Sequence, residues 1–147
     1  MSVGTVGVFV PGIPVSEGST RFIHDRAGRA RIVHVKQGEL DIWRRAVAMV
    51  VWCEAKKAGW ELPLDEPVLV TAAFYLPRPR TVKRDVPSVK PDLDKLGRAI
   101  GDALQQDGLN VLADDSRIIQ WQLSKHYSSP SRPAGVELLI VRQGVPF

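Results

Sequence analysis

Apolar and polar positions along this chain switch between a period of two and a period near 3.6, and the switches divide it into elements. Val3 to Val10 alternates weakly and stops at Pro11-Gly12, which predicts an opening strand closed by a turn. Pro14 to Thr20 reads as loop. Arg21–Asp25 and Ala30–Val35, joined through Gly28, have the form of a hairpin carrying Arg21, Arg26, Arg29 and Arg31. Gln37-Gly38 breaks the strand. From about Glu39 to Ala58 the period becomes helical, with Leu40, Trp43, Ala46, Val47, Val50 and Val51 on one face and Lys56, Lys57 and Gly59 at the end. After a proline-bounded connection, Pro67 to Leu76 returns to period two with Val68, Val70, Ala72 and Phe74 on one side, and Pro77 stops it.

The second half repeats the scheme. Arg78 to Lys90 holds Pro79, Pro87 and little apolar content, which predicts a mobile surface loop. Leu96, Ala99, Ile100, Ala103 and Leu104 then mark one helix face, ending near Gln105 or Gln106 because Asp107-Gly108 is turn chemistry. Val111-Leu112 brings the chain back to the core. Ile119, Trp121 and Leu123 alternate with Gln120 and Gln122 as in a half-buried strand, and Val136, Leu138 and Ile140 form a last one after a Ser- and Pro-rich loop. The sum predicts an α+β fold, a single domain with a mixed sheet of about five strands packed with two main helices. Each large side chain that they bury, Trp43 among them, contributes roughly 1.5–3 kcal/mol.

Composition narrows the class. A chain of 147 residues with 44% hydrophobic and 24% charged residues is that of an ordinary globular protein able to bury a core without staples. One cysteine, Cys53, makes no internal disulfide, and no apolar run is long enough to span a bilayer, so a cytoplasmic protein without membrane association is expected. The net charge of +4 is modest, and its distribution says more. Arg78, Arg80, Lys83, Arg84, Lys90 and Lys95 crowd into one span. A polyanion suits such a cluster, because each neutralised phosphate releases condensed counterions.

That basic span leads into an acidic one. Lys90-Pro91-Asp92-Leu93-Asp94-Lys95-Leu96 is answered some twenty residues on by Ala113-Asp114-Asp115-Ser116. Pro91 biases Lys90 toward an extended conformation. On an extended segment Asp92 and Asp94 project to the same side, whereas in a helix they would stand roughly 200° apart. Asp94 falls where a helix N-cap is expected. Carboxylate oxygens are the hard ligands of Mg²⁺, which takes one or two of them and fills its other positions with water and phosphate oxygens. A short return through Val111-Leu112 is expected to bring the second acidic pair toward the first. Arg98, one turn after Asp94 and one before Asp102, reads either as a surface ion pair or as a phosphate contact. His24, His34 and His126 show no metal-ligand spacing. Trp43 and Trp121 read as packing residues, while Lys125 and Tyr127 stand at a strand end that could meet DNA.

Lys-Pro-Asp-Leu-Asp-Lys-Leu, the Asp102-Ala103-Leu104 of the helix and the Asp-Asp-Ser before the next strand resemble the RusA family of Holliday junction resolvases, small Mg²⁺-dependent endonucleases of bacteria and their phages. The resemblance covers about residues 90 to 127 closely, with a looser echo in Pro11-Gly12-Ile13-Pro14. It implies that Asp92, Asp94 and Asp115 bind Mg²⁺, with Mn²⁺ able to substitute and Asp114 beside them. It also implies a homodimer that cuts symmetrically across a four-way DNA junction during recombination and repair. Where family members often carry Asn and a catalytic Lys, this chain has Lys95 and Arg98. Both keep positive charge, but a guanidinium stays protonated and cannot serve as a base. On this reading Asp92, Asp94, Asp115 and Arg98 are catalytic, and Arg78, Arg80, Lys83, Arg84, Lys90, Lys95 and Lys125 contact DNA, the loop from Arg78 ordering on it. The alternatives are a non-catalytic protein that binds branched DNA by charge and shape, and an Asp-x-Asp enzyme that holds a nucleotide sugar through a metal.

Overall fold

The computed structural model describes residues 4–18, 20–24, 26–28, 30–34 and 37–144. In chain order the elements are β1 (Thr5–Pro11), β2 (Thr20–His24), β3 (Ala30–His34), α1 (Gln37–Lys57), β4 (Val68–Leu76), α2 (Leu93–Leu104), a single 3₁₀ turn (Asp115–Arg117), β5 (Ile118–Tyr127) and β6 (Gly135–Arg142). Two helices and a mixed four-stranded sheet make the expected α+β fold, with β2 and β3 forming the expected hairpin. Val3, Asp25, Arg29 and Val35 lie outside the described residues, as do the side chains of Arg21 and Arg31. Arg26 is exposed in the connecting turn.

The sheet runs in the order β1-β6-β4-β5. β6 pairs antiparallel with both β1 and β4, and β4 pairs parallel with β5. A parallel pair needs a crossover, and here α2 supplies it. The strict alternation of β4 is realised in full: Val68, Val70, Ala72 and Phe74 are buried and their intervening neighbours are only half-buried. Val136, Leu138 and Ile140 of β6 join them beneath the helices, and α1 adds Leu40, Trp43, Val47, Val51 and Ala55. No helix of the described residues is long and apolar enough to cross a membrane.

Two sequence expectations need correction, and both concern the site. The first is β5. Ile119 is 62% exposed and Trp121 38% exposed, so they are not a half-buried face. β5 is an edge strand, and a register shift opposite Val68 and Leu69 breaks its alternation at Ile119. Beyond the shift, Trp121 and Leu123 share the side that meets α2. The second is the start of α2. Asp92, with φ −70° and ψ 137°, is the residue before the first helical one, and Asp94 already lies in the first turn. The pair therefore straddles a helix start instead of sharing one extended segment.

Candidate active site

α2 presents two faces with different jobs. Leu96, Ala99, Ile100, Ala103 and Leu104 are buried in the core, as the helical periodicity predicts. The neighbouring stripe is Asp94, Gly97, Arg98 and Gly101, which lines a cleft of about 320 Å³ together with Asp115, Trp121 and Leu123. The glycines explain how a helix comes so close to a strand edge. A Cβ on Gly97 would stand 2.7 Å from Leu123 Cδ1, and one on Gly101 would meet Trp121 Cζ2 at 3.6 Å and Asp115 Oδ2 at 3.8 Å. Glycine in a helix interior costs about 1 kcal/mol relative to alanine. Two glycines spaced i, i+4 are thus a sequence signal for a packed groove.

The second acidic pair reaches this groove by the expected route. After the Asp107-Gly108 turn, Val111 and Leu112 are buried and donate to Leu104 O at 2.8 and 2.9 Å. The Asp115 backbone N–H donates to Gln105 Oε1 at 3.0 Å, which ties the turn to the end of α2. Asp114 is spent locally. Its carboxylate accepts from the Ser116 N–H at 2.9 Å and caps the 3₁₀ turn, and hydrogen bonds from Ser116 hold it below the usual carboxylate range.

Asp94 and Asp115 share the cleft, and neither side chain has a hydrogen bond or ion pair among the described residues. Seven residues of helix separate Asp94 from Gly101, which is ~10 Å at the rise of an α-helix. The two carboxylates therefore stand toward opposite ends of the cleft, with Arg98 between them. Among the described residues Arg98 makes no direct salt bridge with Asp94 or Asp102, although its charge acts on Asp102 and Glu17 from a distance. Asp92 faces a second, larger cleft and pairs with Lys95 at 3.6 Å. The expected convergence of three acidic side chains is absent: among the described residues no three His, Cys, Asp or Glu side chains gather closely enough to cage an ion. Two partnerless carboxylates at an open cleft instead fit the water-rich coordination that Mg²⁺ favours, in which protein supplies one or two oxygens and solvent or phosphate the rest.

The basic approach is anchored to the same edge strand. Lys125 Nζ donates to Val89 O at 2.9 Å and Pro91 O at 3.0 Å, immediately before Asp92. Arg84 Nε donates to Tyr127 Oη at 2.8 Å, and the Arg78 guanidinium lies 5.6 Å from the Tyr127 ring. The amine of Lys125 is thus used inside the protein. Arg80, Lys83 and Lys90 are exposed and carry no ion pair among the described residues.

Sequence reasoning missed the cluster that holds the N-terminal loop against α2. Arg44 of α1 donates to Glu17 Oε1 at 2.5 Å and to Asp41 Oδ1 at 2.8 Å, and it stands 3.7 Å from Asp102 Oδ2. Glu17 N also donates to Lys95 O at 3.0 Å. Burial raises the pKa of Asp102 to about 6, helped by its hydrogen bond to Glu17 and by the Glu17 charge. Glu17 is held low: burial works against this, but Asp102 and the Arg44 guanidinium outweigh it. Asp41 is a helical neighbour of Arg44, but Glu17 lies 27 residues away and Asp102 farther still, and no local pattern announces them.

A family model described as endodeoxyribonuclease RusA matches residues 11–139. No curated protein matches the chain.

Proposed function

Because the chain belongs to the RusA endodeoxyribonuclease family, we propose that it is a Mg²⁺-dependent, structure-specific endonuclease that resolves Holliday junctions by paired phosphodiester hydrolysis in recombination and repair. The observation that carries this reading is the pair Asp94 and Asp115, distant in sequence, lining one cleft with Arg98 and, among the described residues, free of side-chain partners. Charged groups without protein partners in a cleft are candidates for meeting a ligand.

Asp94 and Asp115, toward opposite ends of the cleft, would each offer an oxygen to a Mg²⁺ ion, or Mn²⁺ in its place, that takes its remaining oxygens from water and phosphate, with Asp92 at the rim as a further carboxylate. Bound there, the ion would lower the pKa of water and offset charge on the phosphoryl and leaving oxygens. Arg98 supplies a permanent positive charge between the two carboxylates, where a phosphate oxygen can accept from its guanidinium. Lys90, Lys95, Arg80 and Lys83 extend the positive surface along the backbone path, and Arg78 and Arg84 are held beside it by Tyr127. Paired cuts across a four-way junction follow if the chain works as a two-fold homodimer, since one symmetry operation supplies two sites.

The test is cleavage of a synthetic four-way junction and a linear duplex in Mg²⁺ by the wild type, Asp94→Asn and Asp115→Asn. The wild type is expected to nick opposed strands of the junction and spare the duplex. Each variant is expected to lose cleavage while binding the junction as well or better, because negative charge is removed beside a polyanion. Both side chains are exposed, so stability should change little, with about 0.3–1 kcal/mol at stake for Asp94 at its helix start. Wild-type rates in both variants would end the proposal. Tight junction binding by the wild type with no nicking in any divalent ion would instead identify a non-catalytic junction binder.

A further inference from the structure

The larger cleft beside Asp92 has no role in the reading above. It encloses about 910 Å³ between the N-terminal loop, α1 and the prolines of the basic loop. Its walls are mostly carbon: Ile13, Ile42, Trp43, Pro77 and Pro87 among them. Ile13 and Ile42 remain 62% and 73% exposed, which leaves apolar surface open to solvent without a partner. Positive charge gathers on the side of the acidic motif, where Arg84, Lys90 and Lys95 line the same cleft as Asp92, while Glu39 of α1 is the one other acidic lining residue. The loop backbone lies against the indole of Trp43, where Gly12, at φ +132°, would place a Cβ only 3.3 Å from Cζ3. Trp43 itself is buried, and its Nε1 has no acceptor among the described residues.

We propose that this cleft receives one unpaired nucleobase of the DNA substrate, next to the phosphate that the neighbouring carboxylate cleft engages. This deepens the endonuclease reading and rests on it. An apolar slot with a cationic rim matches a nucleotide, whose base is flat and largely apolar and whose phosphate is anionic. A hydrocarbon ligand would leave Arg84 and Lys90 without a counter-charge. A stacked duplex presents no free base to such a slot, whereas the branch point of a junction supplies bases that leave the stack at little cost. The cleft therefore adds structure selectivity through shape, separate from the charge that draws in any DNA.

The experiment uses metal-free full-length protein and two labelled single-stranded decamers with identical phosphates, one of thymidines and one with abasic sites in place of the central bases. Junction binding and cleavage by the same wild-type preparation are measured in parallel, so that failure of the endonuclease reading is seen separately. Wild type is expected to bind the thymidine decamer about 5- to 150-fold more tightly, the range that one base contact gives. Ile42→Glu, at an exposed helix position, is expected to erase that preference. Its added charge repels both decamers alike, so the ratio reports the base alone. Equal binding of both decamers by wild type, or an undiminished preference in Ile42→Glu, would overturn the proposal. Conversion of a dimer to a monomer by Ile42→Glu in sedimentation would also overturn it and assign the cleft to a protein interface.

Discussion

Replacing Lys125 by Met removes the ammonium and keeps the apolar stem, and the structure fixes what that should do. The lost donor serves two carbonyls, Val89 O and Pro91 O, in the segment that leads to Asp92 and the start of α2. A hydrogen bond to a charged group contributes about 1.5–3 kcal/mol. The Val89 carbonyl is exposed and regains water, while Pro91 is half-buried and regains it only in part. With screening at so open a site, about 1.5 kcal/mol is the expected loss. For a domain of this size that corresponds to a melting temperature lower by ~4–6 °C. The loop ahead of Asp92 carries Arg80, Lys83 and Arg84, none of them followed by proline, so trypsin reports its release directly, and faster cleavage there is expected. The slope of log affinity against log salt for junction DNA should stay as in wild type, because this amine faces carbonyls and not phosphate. An unchanged melting temperature and digestion pattern, with a slope reduced by about one, would refute the argument and make Lys125 a DNA contact after all.

Arg80→Gln with Lys83→Gln should behave in the opposite way, lowering the salt slope by about two and leaving thermal unfolding unchanged, as filter binding at several salt concentrations would show. Gly135→Ala should lower the urea midpoint by an amount worth about 3 kcal/mol or more, since its Cβ would lie 2.4 Å from Val10 O and 2.6 Å from Phe9 Cζ, at φ +157°. Asp102 carries a pKa pushed up to about 6 from an ordinary value of 3.8. The native chain therefore binds more protons than the unfolded chain between those values, and the contribution of Asp102 to stability falls as pH rises through about 6. Asp102→Asn should remove that decline, so the difference in urea midpoint between wild type and variant should change between pH 4.5 and pH 7; a constant difference would contradict the shift.

What the chain's own pattern could reveal divides along a physical line. Features set by near neighbours were legible: the alternation of β4, the buried face of α2, the Asp107-Gly108 turn and the return through Val111-Leu112. The acidic motif was legible as chemistry, but its geometry was not. Whether Asp92 or Asp94 caps α2 depends on a shift of two residues, and that shift decides whether the two carboxylates share a cleft. The exposure of Ile119 and Trp121 follows from β5 lying at the sheet edge with a local irregularity, which alternation cannot report. Arg44 with Glu17 and Asp102, and Lys125 with the Val89 and Pro91 carbonyls, are long-range pairings between ordinary surface residue types. Gly97 and Gly101 were the one overlooked local clue.

Leu123 sits where a side chain on Gly97 would be, so it acts as a detent that locks the sliding position of α2 along β5. Asp94 is fixed to the helix and Asp115 to the lead-in of the strand, so this aliphatic contact, together with the Gln105 tie to the Asp115 backbone, helps set the gauge between their oxygens. Trimming or enlarging Leu123 should retune which span of phosphate and hydrated ion the jaws accept, with both acidic groups left in place.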